Sequence, residues 1–144
     1  MIEAPAGFEP HFRSSGLTNP WEPIFVKRAN GMIILGLRAG PAHVNSRGFV
    51  HGGLIAALAD NAMGLSCAEQ RGGDSRGVTV SLALDYLGVA EQGQWLTFET
   101  DFVRLGSTLS FAQAFARADG VACARANATF RVFKERAAPT AASA

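Results

Sequence analysis

Cysteine and histidine are scarce in this 144-residue sequence, which contains two of the first and three of the second. Cys67 and Cys123 fall on different predicted elements, so no disulfide framework is indicated, and both are expected to be small buried residues. His11, His43 and His51 lack the spacing of a metal-binding motif. We therefore expect no metal, and the sequence has no phosphate-binding glycine motif either.

An excess of one charge is also lacking, since 13 Lys and Arg residues face 12 Asp and Glu residues, a net charge of +1. This balance argues against nucleic acid or an anionic membrane surface as a partner, because both require a basic face. No apolar run reaches the roughly 18 residues of a membrane span, and the first residues lack the apolar core of a signal peptide. With 48% hydrophobic residues, the chain is typical of a globular protein, which we expect in the cytoplasm.

Proline and glycine divide the chain into three predicted parts. Residues 1–30 contain Pro5, Pro10, Pro20 and Pro23 as well as several aromatic rings. They predict an irregular N-terminal extension that packs through its rings as a flap or short helix. Residues 31–134 are predicted to form the functional domain, and residues 135–144 a flexible tail.

Within residues 31–134 the pattern predicts one strand, one long helix and then four long strands. The first strand covers 31–40, and the helix runs from about His51 to Gln70. Four alternating segments then predict strands at 77–87, 94–106, 107–120 and 121–133. A long antiparallel sheet and one very apolar helix bury their surfaces if the sheet wraps around the helix, which is an α+β fold.

Turn and strand patterns add detail to this prediction. Asp119-Gly120 between the last two segments is a two-residue hairpin signal. One face of the second predicted strand is expected to carry Val78, Val80, Leu82, Leu84 and Tyr86. One face of the third is expected to carry Leu96, Phe98, Thr100 and Phe102.

The predicted helix has two unlike faces. Leu54, Ile55, Leu58 and Leu65 form a bulky face suited to the sheet. Asp60 lies on the other side, among glycines, alanines and Cys67. Such a stripe of small residues also serves close packing, and a lone helical Asp is often a solvated surface residue. An unpaired carboxylate among such apolar neighbours would cost several kcal/mol, however, so Asp60 is a candidate functional residue.

The start of the helix is a second candidate. The first amides of a helix have no internal partners and lie at the positive end of its dipole. Gly52 and Gly53 would let a ligand oxygen approach those amides closely, as in an oxyanion hole, although glycines also suit a plain turn.

Gly52 and Asp60 are too far apart to act together within one chain. They are eight residues apart, so about 12 Å separates them along a helix axis. If both belong to one site, a second subunit must supply one of them, for instance through two antiparallel helices related by a two-fold axis. This hypothesis predicts a homodimer with two identical sites.

The spacing Asn45-x-x-Gly48-x-x-His51-Gly52-Gly53, followed by Asp60, resembles the PaaI-type branch of the hotdog-fold acyl-CoA thioesterases. The resemblance covers about residues 31–133 and implies a hotdog fold, with homodimers often paired into tetramers. It also implies hydrolysis of an acyl-CoA thioester at the dimer interface. Coenzyme A is then part of the substrate, and no separate cofactor is expected.

The resemblance also implies roles for individual residues. Asp60 would activate water as a general base or attack the thioester directly, and the Gly52 amide would polarise its carbonyl. Asn45 would orient the carbonyl or the water, and His51 would brace the loop and the helix start. Thr79 matches a position where related proteins place a hydroxyl near the water.

Substrate contacts are less sharply indicated. Gly53 at the helix start would permit close approach of the substrate. Arg104 is a candidate for the CoA phosphates, as are Arg71 and Arg76, although each is also typical of a solvated surface arginine. The acyl pocket should be apolar, with the N-terminal Phe and Trp residues as its lid.

Two other functions fit parts of this pattern. A hotdog hydratase or dehydratase would pair a catalytic histidine with a distant acid, but the HFPG-like stretch typical of the dehydratases is absent. A non-catalytic acyl-CoA-binding hotdog protein would leave Asn45 and Asp60 without a role. The acyl group itself is not indicated by the sequence.

Overall fold

The computed structural model of the chain describes residues 2–73 and 75–134. The predicted tail, 135–144, lies outside the described residues. The described strands are β1 (Glu9–Pro10), β2 (Phe25–Ala29), β3 (Met32–Arg38), β4 (Ser75–Tyr86), β5 (Trp95–Leu105), β6 (Leu109–Ala118) and β7 (Val121–Lys134). The helix α1 spans Gly52–Gln70, and two single-turn 3-10 helices span Asn19–Trp21 and Pro41–His43.

The strands form one antiparallel sheet in the order β1-β2-β3-β5-β6-β7-β4. Helix α1 packs across one face of this sheet and contacts β3, β4, β5, β6 and β7. The predicted α+β architecture, a long antiparallel sheet around one helix, is confirmed. Within the described ranges, no helix is long and apolar enough to cross a bilayer.

The interface between α1 and the sheet combines bulky helix residues with small sheet residues. On the helix, Leu54, Ile55, Leu58, Ala62 and Met63 are buried. On β6 and β7 the residues facing the helix are alternate alanines: Ala112, Ala114, Ala116, Ala118, Ala124, Ala126 and Ala128. Because alanines occupy little depth, the helix can lie close to the sheet. The phenylalanines of β6 therefore point to the outer face.

The prediction that residues 1–30 are irregular is wrong for Phe25–Ala29, which pair along their length with β3. The turn between these strands is Asn30-Gly31, with φ of 54° and 73°. Two consecutive residues of positive φ make the tight turn that suits the twist of a hairpin, and Asn-Gly is its strongest sequence signal. The strand could therefore have been found from the sequence.

The predicted alternation along β4 is wrong at its start, because a bulge interrupts the pairing with β7 between Thr79 and Ser81. Leu82 pairs with the buried Ala128, so it faces α1. Thr79 pairs with the buried Phe130 and faces α1 as well. The extra residue thus changes which side chains point inward, and it turns Thr79 rather than Val78 toward the helix.

The face predicted for β5 is wrong at Phe102, because a second bulge interrupts this strand. Leu96, Phe98 and Thr100 are buried as predicted, but Phe102 is 51% exposed. The pairing with β6 shifts between Thr100 and Phe102, so the inward positions continue at Val103, which pairs with the buried Ala112.

Both cysteines are buried, free thiols, as the sequence predicts. Burial raises the pKa of Cys67 from 9.0 to about 11 and raises the pKa of Cys123 as well, because the thiolate is poorly solvated inside the protein. Both therefore stay protonated near neutral pH and are poor nucleophiles.

Candidate active site

The N-terminus of α1 is capped by a histidine. His51 has an extended conformation, with φ of −63° and ψ of 131°, and its Nδ1 accepts a hydrogen bond of 2.8 Å from the amide of Gly53. This bond satisfies one of the amides that a helix start leaves without partners. His51 therefore fixes the helix start, and because Nδ1 accepts this bond, the ring proton lies on Nε2.

The amide of Gly52 is left free by this arrangement. Gly52 is the first residue of the helix, so it has no intrahelical acceptor, and no described residue accepts a hydrogen bond from it. Its carbonyl accepts a bond of 2.6 Å from the hydroxyl of Tyr86 on β4. The free N–H lies at the positive end of the α1 dipole, which suits a developing negative charge.

Gly53 is placed differently from Gly52, although both are glycines at the helix start. Since the Gly53 amide already donates to His51, it is not available as a second donor to a ligand. Gly53 lines a cavity beside the helix start. It can therefore contribute only space to a site, because it has no side chain.

Asp60 lies two turns further along α1 on the partly exposed face. Its Oδ1 accepts a hydrogen bond of 2.7 Å from the hydroxyl of Thr79. No described residue donates to Oδ2, and Asp60 lines a cavity of about 410 Å³. The carboxylate is thus oriented by one partner and keeps a free oxygen that could take a proton or attack a substrate.

Asn45 shapes the loop that leads into α1. Its side-chain oxygen accepts hydrogen bonds from the amides of Arg47 (2.9 Å) and Phe49 (3.2 Å). The loop is closed further by the amide of Asn45, which donates to the Phe49 carbonyl at 2.7 Å. In the side chain of Asn45, only the NH₂ group is left to contact a ligand. Any orienting role would therefore use this group as a donor.

The arginines proposed as phosphate ligands lie in different places. Arg104 pairs with the exposed Phe111 on the outer face of the sheet, away from α1. The guanidinium of Arg71 is bonded to the Gly106 carbonyl and to the Ser110 hydroxyl, which fixes it in a structural contact. Arg76 lines the cavity that contains Asp60. Within one protomer, only Arg76 of these three joins that cavity.

The structure adds two groups of residues to this site that the sequence does not indicate. Tyr86 was expected only as a strand residue, and its bond to Gly52 depends on the tertiary approach of β4 to the helix start. Arg13 and Arg28 of the N-terminal segment line the Asp60 cavity together with Arg76. Within the described residues, no cluster of three His, Cys, Asp or Glu side chains could hold a metal ion.

The thioesterase superfamily pattern matches residues 47–124, which include the helix start, Asp60 and Thr79. The chain belongs to the thioesterase superfamily. By family it is a thioester hydrolase, as predicted.

Two relatives illustrate this thioesterase membership. A Pseudomonas aeruginosa protein provisionally named as an esterase is 40% identical over 115 residues, which cover 79% of this chain and 86% of that protein. Human acyl-coenzyme A thioesterase 13 is 35% identical over 88 residues, which cover 60% of this chain and 61% of the human protein.

Solved structures agree on the fold. A hypothetical thioesterase of Streptococcus pneumoniae, solved with coenzyme A, has a TM-score of 0.72 at 22% identity, covering 81% of this chain and 94% of that one. A mutant of the phenylacetic acid degradation protein PaaI from Thermus thermophilus has a TM-score of 0.71 at 20% identity, covering 81% and 98%. The predicted PaaI-type hotdog thioesterase, in family and in fold, is confirmed.

Proposed function

We propose that this thioesterase hydrolyses acyl-CoA thioesters to a free acid and coenzyme A, at sites shared between two subunits. The proposal rests on two groups that the same helix presents. One is the free amide of Gly52, and the other is the carboxylate of Asp60, which Thr79 orients. The acyl-CoA thioesterase name of the human relative supports the substrate class. CoA belongs to the substrate, so the reaction uses no separate cofactor.

In this mechanism the Gly52 amide of one subunit holds the thioester carbonyl oxygen. Negative charge builds up on that oxygen in the transition state, and the amide stabilises it more strongly than the uncharged ground state. Asp60 of the other subunit removes a proton from water, whose oxygen attacks the carbonyl carbon, or it attacks that carbon itself and forms an anhydride that water then hydrolyses. In both cases the C–S bond breaks, and coenzyme A leaves as a thiolate that takes up the proton released from the water. A thioester is activated enough for a carboxylate and one oxyanion donor to suffice.

Strand β4 supports a dimer of this kind. It lies at the edge of the sheet, spans 12 residues and carries Val78, Val80 and Tyr86, each at least 53% exposed. A long apolar edge strand is normally paired or covered in a native protein. Pairing two β4 strands across a two-fold axis would continue the sheet and bring the two α1 helices side by side.

Further assembly and location stay predictions. The outer sheet face exposes Phe102, Phe111 and Phe133, which offers a surface for the predicted dimer of dimers. The cytoplasmic location and the absence of nucleic-acid and membrane partners rest on the composition alone.

The first experiment is release of free thiol from a panel of acyl-CoAs, followed with a thiol reagent. We expect turnover by the wild-type protein and a rate about 10²–10⁴-fold lower in the Asp60→Asn variant. Hydration of an unsaturated acyl-CoA without thiol release would indicate the hydratase alternative. Tight acyl-CoA binding without any turnover would indicate the non-catalytic alternative.

The Gly52 amide can be removed alone. Proline is tolerated at the first position of a helix, and His51 already has the extended conformation that precedes proline. Gly52→Pro therefore deletes the N–H, while Gly52→Ala is the matched control that keeps it. Both add a Cβ about 3.3 Å from the Tyr86 side chain, so the control shares that contact. We expect Gly52→Pro to lose about 10²–10³ in kcat relative to Gly52→Ala.

Mixed dimers test the sharing of sites. Gly52→Pro and Asp60→Asn subunits are each inactive alone, but a mixed dimer would contain one site with both groups intact. Random mixing should then restore about a quarter of the wild-type activity, since half of the dimers are mixed and each has one working site. If each subunit builds its own site, mixing restores nothing.

A further inference from the structure

A cavity of about 480 Å³ lies beside the start of α1. It has the size of a small-molecule pocket, and its walls are largely apolar, with Val44, Leu54 and Ala57 on one side. Leu17 and Trp21 of the N-terminal segment form the other side. His51 and Gly53 at the helix start also line it, so the cavity opens next to the candidate oxyanion donor.

The N-terminal wall of this cavity is held in place by a buried histidine. His43 is buried, and its Nδ1 accepts a bond of 2.8 Å from the Gly40 amide, so the ring proton is on Nε2. Nε2 then donates to the carbonyl of Trp21 at 2.9 Å. Trp21 also donates its amide to the Thr18 carbonyl at 2.8 Å. The segment is therefore anchored to the same loop that precedes α1.

Leu17 lines a second cavity as well, of about 370 Å³, which contains Asp60, Thr79 and Leu82 of the same protomer. Leu17 is 65% exposed, so much of its side chain is open to solvent beside these two cavities. An apolar side chain in such a position is covered when an apolar ligand enters.

We propose that the segment 15–21 forms the selectivity wall of the acyl pocket, with Leu17 and Trp21 as the residues that set the size of the accepted acyl group. The inference rests on the proposed function and adds the substrate class, an apolar aliphatic or aryl acyl group of medium size. The segment lies outside residues 47–124, which match the family. Selectivity is therefore supplied by a part of the chain that the family pattern does not include.

Two substitutions change the pocket in opposite directions. Trp21→Ala enlarges it, and we expect the ratio of kcat/KM for lauroyl-CoA over hexanoyl-CoA to rise about tenfold or more. Leu17→Trp fills it, and the same ratio should fall by a similar factor. The matched controls are Phe115→Ala and Leu109→Trp on the outer sheet face, which should leave the ratio unchanged. Thermal melting verifies that each variant is folded, and the exposed Leu17 is the safer site in this respect.

Two outcomes overturn the inference. The first is an unchanged ratio in both folded variants. The second is a Leu17→Trp variant that alters the oligomeric mass in light scattering but not the ratio, since Leu17 would then be an interface residue.

Failure of the proposed function is distinguished by a separate measurement. Binding of hexanoyl-CoA and lauroyl-CoA is measured by calorimetry on the same substitutions made in the Asp60→Asn background. If the wild-type protein releases no thiol, the proposed hydrolysis is wrong. A change in the ratio of the Kd values for lauroyl-CoA and hexanoyl-CoA would still support the selectivity wall. If thiol is released and the substitutions change neither the Kd values nor the kcat/KM ratio, only the proposed selectivity wall is wrong.

Discussion

On α1, the side turned to the sheet and the side carrying Asp60 differ in side-chain size, burial and partners. Leu54, Leu58 and Met63 on the first side are almost fully buried against the sheet. On the second side, Ala57 and Gly64 are only partly buried and leave room for cavities. One side thus supplies stability through apolar burial, and the other leaves space for a ligand. The two functions can therefore be separated by mutation.

The largest expected effect is on the cavity side, from Asp60→Asn. The amide is nearly the same size and can still accept the Thr79 bond, so the fold should be unaffected. Activity should fall by about 10²–10⁴-fold, because the amide is neither a base nor a nucleophile. Thiol release and thermal melting are measured side by side, with Asp101→Asn on β5 as the matched control. An active Asp60→Asn enzyme would remove Asp60 from the mechanism.

Leu58→Ala tests the sheet side. Leu58 is fully buried, so its truncation should cost about 2–5 kcal/mol in the free energy of unfolding, measured with denaturant. The kcat of the remaining folded enzyme should stay near the wild-type value. A loss of kcat as large as that of Asp60→Asn would mean that the two sides are not separable.

Thr79→Val tests the partner of Asp60 on the cavity side. Valine is similar in shape but cannot donate the 2.7 Å hydrogen bond. We expect kcat to fall about ten- to a hundredfold with KM little changed, since a bond to a charged group contributes about 1.5–3 kcal/mol. Thr79→Ser keeps the hydroxyl and should restore most of the activity. Equal activity of the Val and Ser variants would show that the hydroxyl has no part in catalysis.

Tyr86→Phe tests the contact at the helix start. It removes the 2.6 Å bond to the Gly52 carbonyl, which contributes about 0.5–1.5 kcal/mol. We expect a loss of activity of a few fold at most and a slightly lower melting temperature. A loss as large as that of Gly52→Pro would make Tyr86 a direct participant in the reaction.

Cys67→Ala should have the smallest effect of these substitutions. Cys67 tests where the buried side of α1 ends and the cavity side begins. Sequence position places it on the Asp60 side, but it is 5% exposed, so a thiol reagent should label it only after unfolding. Its raised pKa also stabilises the fold below pH 9.0, and this contribution is lost as the pH rises toward 11. Cys67→Ala should therefore lose less stability than the wild type over that pH range. Rapid labelling of the native protein would contradict the burial.

Much of the site was predictable because it depends on local order along one helix. The spacing of Gly52 and Asp60 follows from α-helix geometry, and the two faces of α1 follow from its periodicity. Thr79 was placed near Asp60 only through the family resemblance. A regular alternation would have put it on the opposite face from Leu82.

The strands were less predictable than the helix, because only some of their features have a local sequence signal. Strand β2 has a local signal in the Asn30-Gly31 turn that joins it to β3. The bulges in β4 and β5 have no comparable signal, because an extra residue in one strand is defined only by its pairing with another.

The sequence by itself determined the fold class, the long apolar helix and the residues at the helix start, because periodicity and capping are short-range properties. Only the tertiary structure decided which amide is free, which hydroxyl orients Asp60, and that residues 15–21 line the cavity beside α1. These contacts join residues far apart in the chain, so they depend on packing and strand register, which no single segment specifies.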